Sequence, residues 1–560
     1  MKSTWNRACD AIVETDQVIG QCHGTMRLLG VGGLEAIDVG PGKTENQRNM
    51  RVIFPESANG GRAPPGVNCQ HCIARRAVVF RECARPMTEL LENSGPSIGR
   101  RTVSGPVAFL GGGDDGDFHE RPIDCCEMSE RLTKETLVSN LQDARGRTIE
   151  LVHGLDDDQL MGPRIDIVNP LLWEIGHLAW FHEHFVLRRI DKADPIMPQT
   201  DKLYDSMKVH HDTRWDLDLP DLHGTFQYMR AVEDAMIDRL KDGEANEEES
   251  YLYQLTTFHE DMHDEAFTYT RQTLSYPAPE FRAAKDQVAP DVGALPGDAD
   301  VAGGQIELGS RAGGPFIFDN EKFGHVVEIA PFQIARTPVT NAAFRDFVEA
   351  GGYSDKRYWS DAGWRWREEV KAVHPIYWRR GDDGNWWVRT FDTEIPLPPN
   401  HPVSHVSWFE AEAWCRWAGR RLPSEAEWEA AAAYRPTGQL KSDMPKRRYA
   451  WGDSIDGCPA NLDGRHLGVV DVGAYPAGDS AVGCRQMIGN VWEWTSSDFL
   501  PFPGFSVDPY EDYSKPWFGT RKVLRGGAWA TRSRMVSNTY RNFFTPDRRD
   551  TIGGFRTCAI

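Results

Sequence analysis

The sequence lacks several features that would place it in other large classes of protein. It has no run of 18 or more apolar residues, so no membrane-spanning helix is expected. Its first residues lack the apolar core of a signal peptide. Positive charge is also scarce, because 63 lysines and arginines are outnumbered by 83 acidic residues, giving a net charge of -20. A general nucleic-acid-binding surface is therefore not expected. These absences predict a cytoplasmic protein without nucleic-acid or membrane partners.

Cysteine is scarce after the first quarter of the chain. Seven of the 11 cysteines lie before residue 127, and a long chain without a secretion signal is not expected to be held by disulfides. Residues 1–127 also show little hydrophobic periodicity and contain many Gly, Pro and Arg residues. We predict that they form a disordered extension or lie upstream of the true start, because Met128 immediately precedes the first clear helix.

The remainder of the chain predicts an α+β protein of two domains. Apolar residues recur at helical spacing in four segments, at residues 130–155, 169–185, 224–243 and 249–275. These segments predict a four-helix bundle over residues 128–276, with Asn169 capping the second helix. Residues 277–303, rich in Pro, Ala, Gly and Asp, predict a linker. Short strands, turns and dense aromatics over residues 304–560 predict an α+β domain.

Three histidines in the helical region suit a metal site. His259 and His263 are four residues apart and therefore lie on one face of the fourth helix. His177 lies within a strongly apolar helix, on the face of two flanking tryptophans. Two histidines from one helix and one from another can form a three-nitrogen site with open positions. Glu265 lies about 200° around the helix from His263, so it is expected to brace a neighbouring helix instead.

Other interpretations of the same residues remain open on spacing alone. The sequence HEDMH at residues 259–263 matches the H-E-x-x-H signature of zinc peptidases, in which the glutamate, here Glu260, is the general base. The two histidines could also be ordinary surface residues of an amphipathic helix. The apolar setting of His177, and a second domain that a peptidase would not need, favour the three-histidine site.

Motifs on both sides of the linker carry a resemblance to a known family. NPLLWEIGHLAWFHEHF, at residues 169–185, followed by H-x-x-x-H-x-E at residues 259–265, resembles the DinB-like domain of ergothioneine-type sulfoxide synthases. FDNE, PVTN, RLPSEAEWE, GNVWEWT and RGGAW, in that order, resemble the formylglycine-generating-enzyme fold, which is C-type-lectin-like. Within this superfamily, residues 204–220 are most similar to selenoneine synthases.

The resemblance implies a reaction of hercynine (N-trimethylated histidine) with O2 and a sulfur or selenium donor. His177, His259 and His263 fall at the ligands of a non-haem Fe(II). Selenoneine synthases take a selenosugar, whereas ergothioneine enzymes take cysteine or γ-glutamylcysteine. Residues 525–542 contain no cysteine, although formylglycine-generating enzymes need a pair there, so the second domain is expected to be a substrate-binding lid. A non-catalytic lectin-like binding protein is the alternative from another class.

The resemblance also implies roles for residues of the substrate pocket. Asn542 falls at a hercynine-contacting position and Arg548 at a carboxylate-binding one, with Phe543 as a loop neighbour. Phe544 stands where γ-glutamylcysteine enzymes carry an aspartate that holds the donor. A phenyl ring cannot pair with an ammonium group as a carboxylate does, which argues against that donor. Arg214 is expected at the mouth of the same pocket.

One tyrosine is expected to take part in the chemistry. Tyr510 falls at the position of the active-site tyrosine of the mycobacterial-type enzymes. We expect it to deliver a proton or an electron and so favour C–S or C–Se bond formation over oxidation of the donor. The trimethylammonium group of hercynine suits an aromatic cage, which the tryptophan-rich second domain can supply.

Overall fold

A computed structural model describes residues 131–241, 243–284, 290–311, 316–435 and 438–560. The predictions for residues 1–127 lie outside this range. The described residues form a helical region followed by a region of short strands and helices, which confirms the α+β fold class. None of the described helices is both long and apolar enough to cross a membrane.

The helical region is a bundle of four long helices with shorter ones between them. In chain order its helices are α1 (Lys134–Val152), α2 (Asp157–Met161), α3 (Leu171–His182), α4 (Arg189–Asp191), α5 (Thr200–Tyr204), α6 (Leu222–Arg239) and α7 (Glu247–Thr273). The long helices α1, α3, α6 and α7 correspond to the four predicted segments and bury their apolar faces in one core. A π-helical turn, Glu183–Arg188, follows α3 directly.

The start of α3 differs from the prediction. Pro170, not Asn169, is its N-cap residue, and it makes no side-chain cap hydrogen bond. The amide of Asn169 instead donates to Glu174 Oε1 at 2.5 Å. The side chain predicted to cap the helix is therefore used within a polar network beside the histidines.

The second region contains four helices and thirteen short strands within its described residues. The helices are α8 (Asn341–Glu349), α9 (Asp361–Val370), α10 (Trp408–Ala418) and α11 (Glu425–Ala433). The strands are β1 (Asp298–Val301), β2 (Gly304–Leu308), β3 (His325–Ile329), β4 (Phe332–Ala335), β5 (Trp378–Arg380), β6 (Trp386–Thr390), β7 (Thr393–Pro396), β8 (Arg420–Arg421), β9 (Trp492–Asp498), β10 (Lys522–Arg525), β11 (Asn542–Phe544), β12 (Gly553–Gly554) and β13 (Cys558–Ala559). Strand β1 lies within the stretch predicted as linker.

One sheet carries residues 542–544, which are predicted to lie in the substrate pocket. Its strand order is β11-β10-β9-β12, so β11 lies at an edge. Strand β11 pairs antiparallel with β10, which opens the RGGAW motif, and β10 pairs with β9 from the GNVWEWT motif. The other sheets have the orders β1-β4-β13-β8, β2-β3 and β5-β6-β7. The strands that support residues 542–544 thus include most of the GNVWEWT motif and end at the first residue of RGGAW.

Buried ion pairs hold this region together. Glu425, from the RLPSEAEWE motif, accepts hydrogen bonds from Arg525 at 2.6 Å and Arg541 at 2.7 Å. Glu493, from GNVWEWT, accepts one from Arg556 at 2.6 Å. All five side chains are buried, and removing one partner of such a pair typically costs about 3–5 kcal/mol. These motif residues therefore support the fold.

The bundle and the second region share buried polar contacts. Glu265 on α7 accepts hydrogen bonds from Trp492 Nε1 at 2.6 Å and from Thr531 Oγ1 at 2.5 Å. The expectation that Glu265 braces a neighbouring helix is therefore wrong, because its partners lie in the second region. Asp261, one turn earlier, accepts hydrogen bonds from two of the three Arg534 side-chain nitrogens, Nε at 2.7 Å and Nη2 at 2.6 Å.

Candidate metal centre and substrate cleft

Three histidine side chains meet between α3 and α7. One ring nitrogen each from His177, His259 and His263 lies within 4.8 Å of the other two. His177 and His259 are buried, and His263 is half-buried. The four-residue spacing puts His259 and His263 on one face of α7, and the packing of α3 against that helix brings in His177. The structure thus brings together the three histidines predicted as ligands.

Hydrogen bonds orient two of the three rings. Nδ1 of His177 lies 2.8 Å from the backbone oxygen of Tyr204, and Nδ1 of His263 lies 2.6 Å from Oε2 of Glu174. Both contacts leave the Nε2 atom available, as in metal-binding histidines whose other nitrogen is held by an outer partner. Nδ1 of His259 is buried and makes no hydrogen bond. This donor set fits a metal ion of the imidazole-preferring group, which includes iron, zinc, copper and nickel.

Burial keeps the histidines in the form that binds metals. Burial and the neighbouring His263 lower the pKa of His177 to about 3. Burial, together with His263, also lowers the pKa of His259 well below its usual value. Both imidazoles are therefore neutral at neutral pH. Burial alone would raise the pKa of Glu174, but His263 and Asn169 hold it below its usual range, so Glu174 is an ionised carboxylate that can accept a hydrogen bond from the Nδ1–H of His263.

Gly176 allows the close approach that orients His177. A Cβ at this position would lie 2.3 Å from the Tyr204 ring, so only glycine fits. The backbone oxygen of the same Tyr204 accepts from His177. Gly176 therefore helps to orient a histidine of the candidate metal centre. A glycine beside a histidine in an apolar helix is the sequence signal for this role.

Arg214 links the cleft to two of the histidines. It donates to Asn169 Oδ1 at 2.6 Å, and Asn169 in turn donates to Glu174, the partner of His263. Its guanidinium carbon lies 3.9 Å from the ring centroid of Trp173, which stacks on His177 at 5.0 Å. Sequence reasoning missed Asn169 and Glu174 in these roles, although Glu174 lies one turn before His177.

A cleft of about 440 Å³ opens beside the histidines, with walls from both regions. The predicted site residues that line it are Arg214, His259, His263, Tyr510, Asn542, Phe543 and Phe544. His177 contributes to the cluster from the buried side. Arg548 is not among the lining residues: it pairs with Asp550 at 2.5 Å, and its guanidinium carbon lies 5.2 Å from the Phe544 ring centroid.

Further aromatic and acidic side chains line the cleft that sequence reasoning did not assign. The aromatic ones are Tyr269, Trp492, Tyr513, Trp517 and Tyr540, and the acidic ones are Glu265 and Asp512. Rings and carboxylates of this kind suit a cationic ligand. Trp492 lies in the GNVWEWT motif, so the sequence did contain a signal for one of these aromatic residues.

Tyr510 lies beside the histidine cluster. Its ring centroid is 5.9 Å from that of His259, in an edge-on arrangement. Phe181 and Phe185 pack against it at 4.9 Å and 5.6 Å. Burial, together with Asp512, raises the pKa of Tyr510 above its usual value, so the phenol keeps its proton at neutral pH.

Glu260 is not placed for peptidase chemistry. It is fully buried and accepts hydrogen bonds from Arg145 at 2.8 Å, Thr148 at 2.7 Å and His182 at 2.7 Å. It is not among the residues that line the cleft. A carboxylate already shared by three protein partners does not fit the general base of a zinc peptidase.

Comparison with known proteins gives matches to both regions. Residues 140–267 match the DinB superfamily, and residues 285–559 match the sulfatase-modifying factor enzyme 1-like domain. The chain is 38% identical over 438 residues to the hercynine oxygenase of Mycolicibacterium thermoresistibile, covering 75% of this chain and 94% of the relative. It is 38% identical over 432 residues to that of Mycobacterium tuberculosis, covering 75% and 98%. The formylglycine-generating enzyme of Streptomyces coelicolor is 34% identical over 302 residues, covering 47% of this chain and 88% of the relative.

Proposed function

This chain belongs to the family of the hercynine oxygenases, and we propose that it is an oxygenase that joins selenium or sulfur to the imidazole of hercynine. One observation carries the proposal. The three-histidine cluster of the bundle and the wall formed by Tyr510 and residues 542–544 border the same cleft. The predicted resemblance to the ergothioneine-type sulfoxide synthase superfamily is confirmed at the level of the family.

We assign Fe(II) to His177, His259 and His263, with O2 as co-substrate. When bound, Fe(II) would supply redox chemistry with O2 and lower the pKa of the donor thiol or selenol. The chain itself contributes orientation, because Glu174 and the Tyr204 carbonyl fix two imidazole rings. A cleft that holds hercynine and the donor together makes their reaction effectively intramolecular.

Hercynine is a zwitterion that carries a trimethylammonium group, an imidazole and a carboxylate, and the cleft offers partners for it. Its trimethylammonium group suits the aromatic lining through cation–π attraction. Asn542 lines the cleft and supplies an amide that can hydrogen bond to the substrate. Formylglycine generation is not proposed, since residues 525–542 contain no cysteine.

A selenosugar is the donor that we propose first. Phe544 gives the cleft an apolar surface where γ-glutamylcysteine enzymes carry an aspartate. Cysteine is the second candidate, because Asp512 brings a carboxylate to the same cleft and can pair with an amino group.

The deciding experiment is reconstitution of the protein with Fe(II) under anaerobic conditions, followed by O2 and hercynine. Cysteine, γ-glutamylcysteine and a selenosugar are offered in competition, and products are identified by mass spectrometry. We expect a C–Se product to dominate, with a C–S product from cysteine when the selenosugar is omitted. Failure to form a product from any donor would refute the proposed function. Metal analysis separates the alternatives, since a peptidase would carry zinc and depend on neither hercynine nor O2.

Tyr510 is proposed to supply a hydrogen atom or proton during bond formation. Because it retains its proton and lies beside the cluster, Tyr510→Phe should shift the products from the C–Se or C–S compound toward oxidised donor, by about tenfold or more. The ratio of the two products per O2 consumed measures this. An unchanged ratio would show that Tyr510 has no such role.

A further inference from the structure

Tyr510 lies on an irregular segment, residues 508–514, that we call the tyrosine loop. It contains no strand or helix. Three of its residues, Tyr510, Asp512 and Tyr513, line the cleft. Because regular backbone hydrogen bonding does not hold the loop, side-chain contacts at its two ends add to the packing of Phe181 and Phe185 on Tyr510 in setting its position.

The first end of the loop is tied to both regions of the protein. Asp508 accepts hydrogen bonds from Lys322 at 2.6 Å and 2.7 Å, and from the hydroxyl of Tyr251 at 2.6 Å. Lys322 belongs to the second region, whereas Tyr251 lies on α7, eight residues before His259. The Asp508 and Lys322 side chains are only 16% and 20% exposed, so solvent screens their contact little.

The second end is held by the same short segment that supplies Lys322. Ser514 Oγ donates to Asp319 Oδ1 at 2.5 Å and accepts from Asn320 Nδ2 at 3.0 Å. All three side chains are buried. Phe318 stacks on Tyr513 with 4.4 Å between ring centroids. Residues 318–322, which begin with the FDNE motif, therefore contact the loop at both ends.

We propose that residues 318–322 and Tyr251 form a clamp that sets the distance of Tyr510 from the three-histidine cluster. Tyr251, Asp508 and Ser514 are then positioning residues for the reaction. Tyr251 gives the clamp its reference point, because the helix that carries it also carries His259 and His263. The inference deepens the proposed function and rests on the role assigned there to Tyr510.

Tyr251→Phe tests the clamp by removing one hydroxyl group. Tyr253→Phe is the matched control, because Tyr253 lies on the same helix and its hydroxyl donates to the Met236 backbone at 2.8 Å, away from the loop. In the Fe(II)-loaded protein, Tyr251→Phe should lower the ratio of C–Se or C–S product to oxidised donor by about fivefold, with unchanged metal content. Tyr253→Phe should leave the ratio as in the wild type. Equal ratios in all three proteins would overturn the clamp.

A double substitution distinguishes a role of Tyr251 in positioning Tyr510 from a general loss of activity. In a Tyr510→Phe background, Tyr251→Phe should not change the product ratio further, because the group that it positions is already gone. A further fall of the same size in that background would show that Tyr251 acts independently of Tyr510, and would overturn the proposal.

A second readout does not depend on turnover. A 3-fluorotyrosine at position 510 is observed by 19F NMR in protein loaded with Co(II), with Zn(II) as the diamagnetic reference. The paramagnetic shift should change in Tyr251→Phe but not in Tyr253→Phe. An unchanged shift would overturn the clamp even in a protein that forms product. Loss of all product in the wild type, by contrast, would refute the proposed function and leave this measurement valid.

Discussion

Glu174 shows how a single side chain can orient a candidate metal ligand. Its carboxylate holds His263 at 2.6 Å and is itself held by Asn169. Outer partners of this kind fix the ring orientation and raise the basicity of the ligand nitrogen. At the scale of the residue, the candidate site therefore depends on side chains such as Glu174 and Asn169, which orient a histidine without being a predicted ligand.

Glu174→Gln should weaken metal binding by about 10- to 100-fold, because an amide is a poorer acceptor for the His263 N–H. Competition between the protein and a metal chelator measures the change. Glu150→Gln is the control, since Glu150 lies on α1 and contacts Arg147 at 3.5 Å, away from the histidines. Equal metal affinity in Glu174→Gln and wild type would contradict the assignment.

Glu321 should make stability depend on pH. Burial raises its pKa to about 7, although Thr539, Arg525 and Arg541 oppose the rise, whereas its usual value is 4.5. Between these values the folded protein holds a proton that the unfolded chain releases. The contribution of Glu321 to stability should therefore fall as the pH rises from about 4.5 to about 7, by up to about 3 kcal/mol, and then level off. The difference in unfolding free energy between the wild type and Glu321→Gln, measured with denaturant at each pH, isolates this contribution from those of other titrating groups such as Asp319. Glu349→Gln, at an exposed site, should show no such pH-dependent difference from the wild type, and a difference for Glu321→Gln that does not vary with pH would refute the assignment to Glu321.

At the scale of elements, periodicity predicts the four long helices well, because each has one apolar face over several turns. It also predicts that His259 and His263 share a face. The apolar run over residues 326–336 predicts a single strand, but the structure has two, β3 and β4, since the peptide nitrogen of Pro331 has no hydrogen for a ladder. The contact of Glu174 with His263 and the partners of Glu265 could not be predicted from periodicity, because they join distant parts of the chain.

The bundle core depends on the pair formed by α1 and α7. Glu260→Gln should lower the free energy of unfolding by about 3–5 kcal/mol, because Arg145 would keep a buried charge without its carboxylate. Chemical denaturation measures the loss. Glu248→Gln, at a largely exposed position of the same helix, should change stability little. Retained stability together with loss of a peptidase activity would instead revive the H-E-x-x-H interpretation.

At the scale of the whole molecule, the two regions are joined by buried contacts. Glu265 accepts hydrogen bonds from Trp492 and Thr531, and Asp261 pairs with Arg534. Both carboxylates lie on the helix that carries His259 and His263. Movement of the second region would therefore be transmitted directly to the helix that carries these two histidines.

Arg534→Gln should lower the stability of the whole protein by about 3 kcal/mol, because it removes the two-point partner of buried Asp261 and leaves only Arg532 at 3.8 Å. Far-UV circular dichroism and tryptophan fluorescence should shift together, since most tryptophans lie in the second region and most helix lies in the first. Arg416→Gln breaks the half-exposed ion pair between Arg416 and Glu412 within α10, and it should leave the unfolding transitions seen by both signals unchanged. A shift in only one signal would show that the regions unfold separately.

The edge position of β11 has a consequence for how this family of proteins can diversify. Residues 542–544 are held in the sheet by backbone pairing with β10, while the three clustered histidines lie in a different part of the chain. Side chains on this edge can therefore change without altering the histidine cluster or the strand pairing. If the proposed function holds, new donor preferences can arise, by natural variation or by design, through a few substitutions in this one short segment.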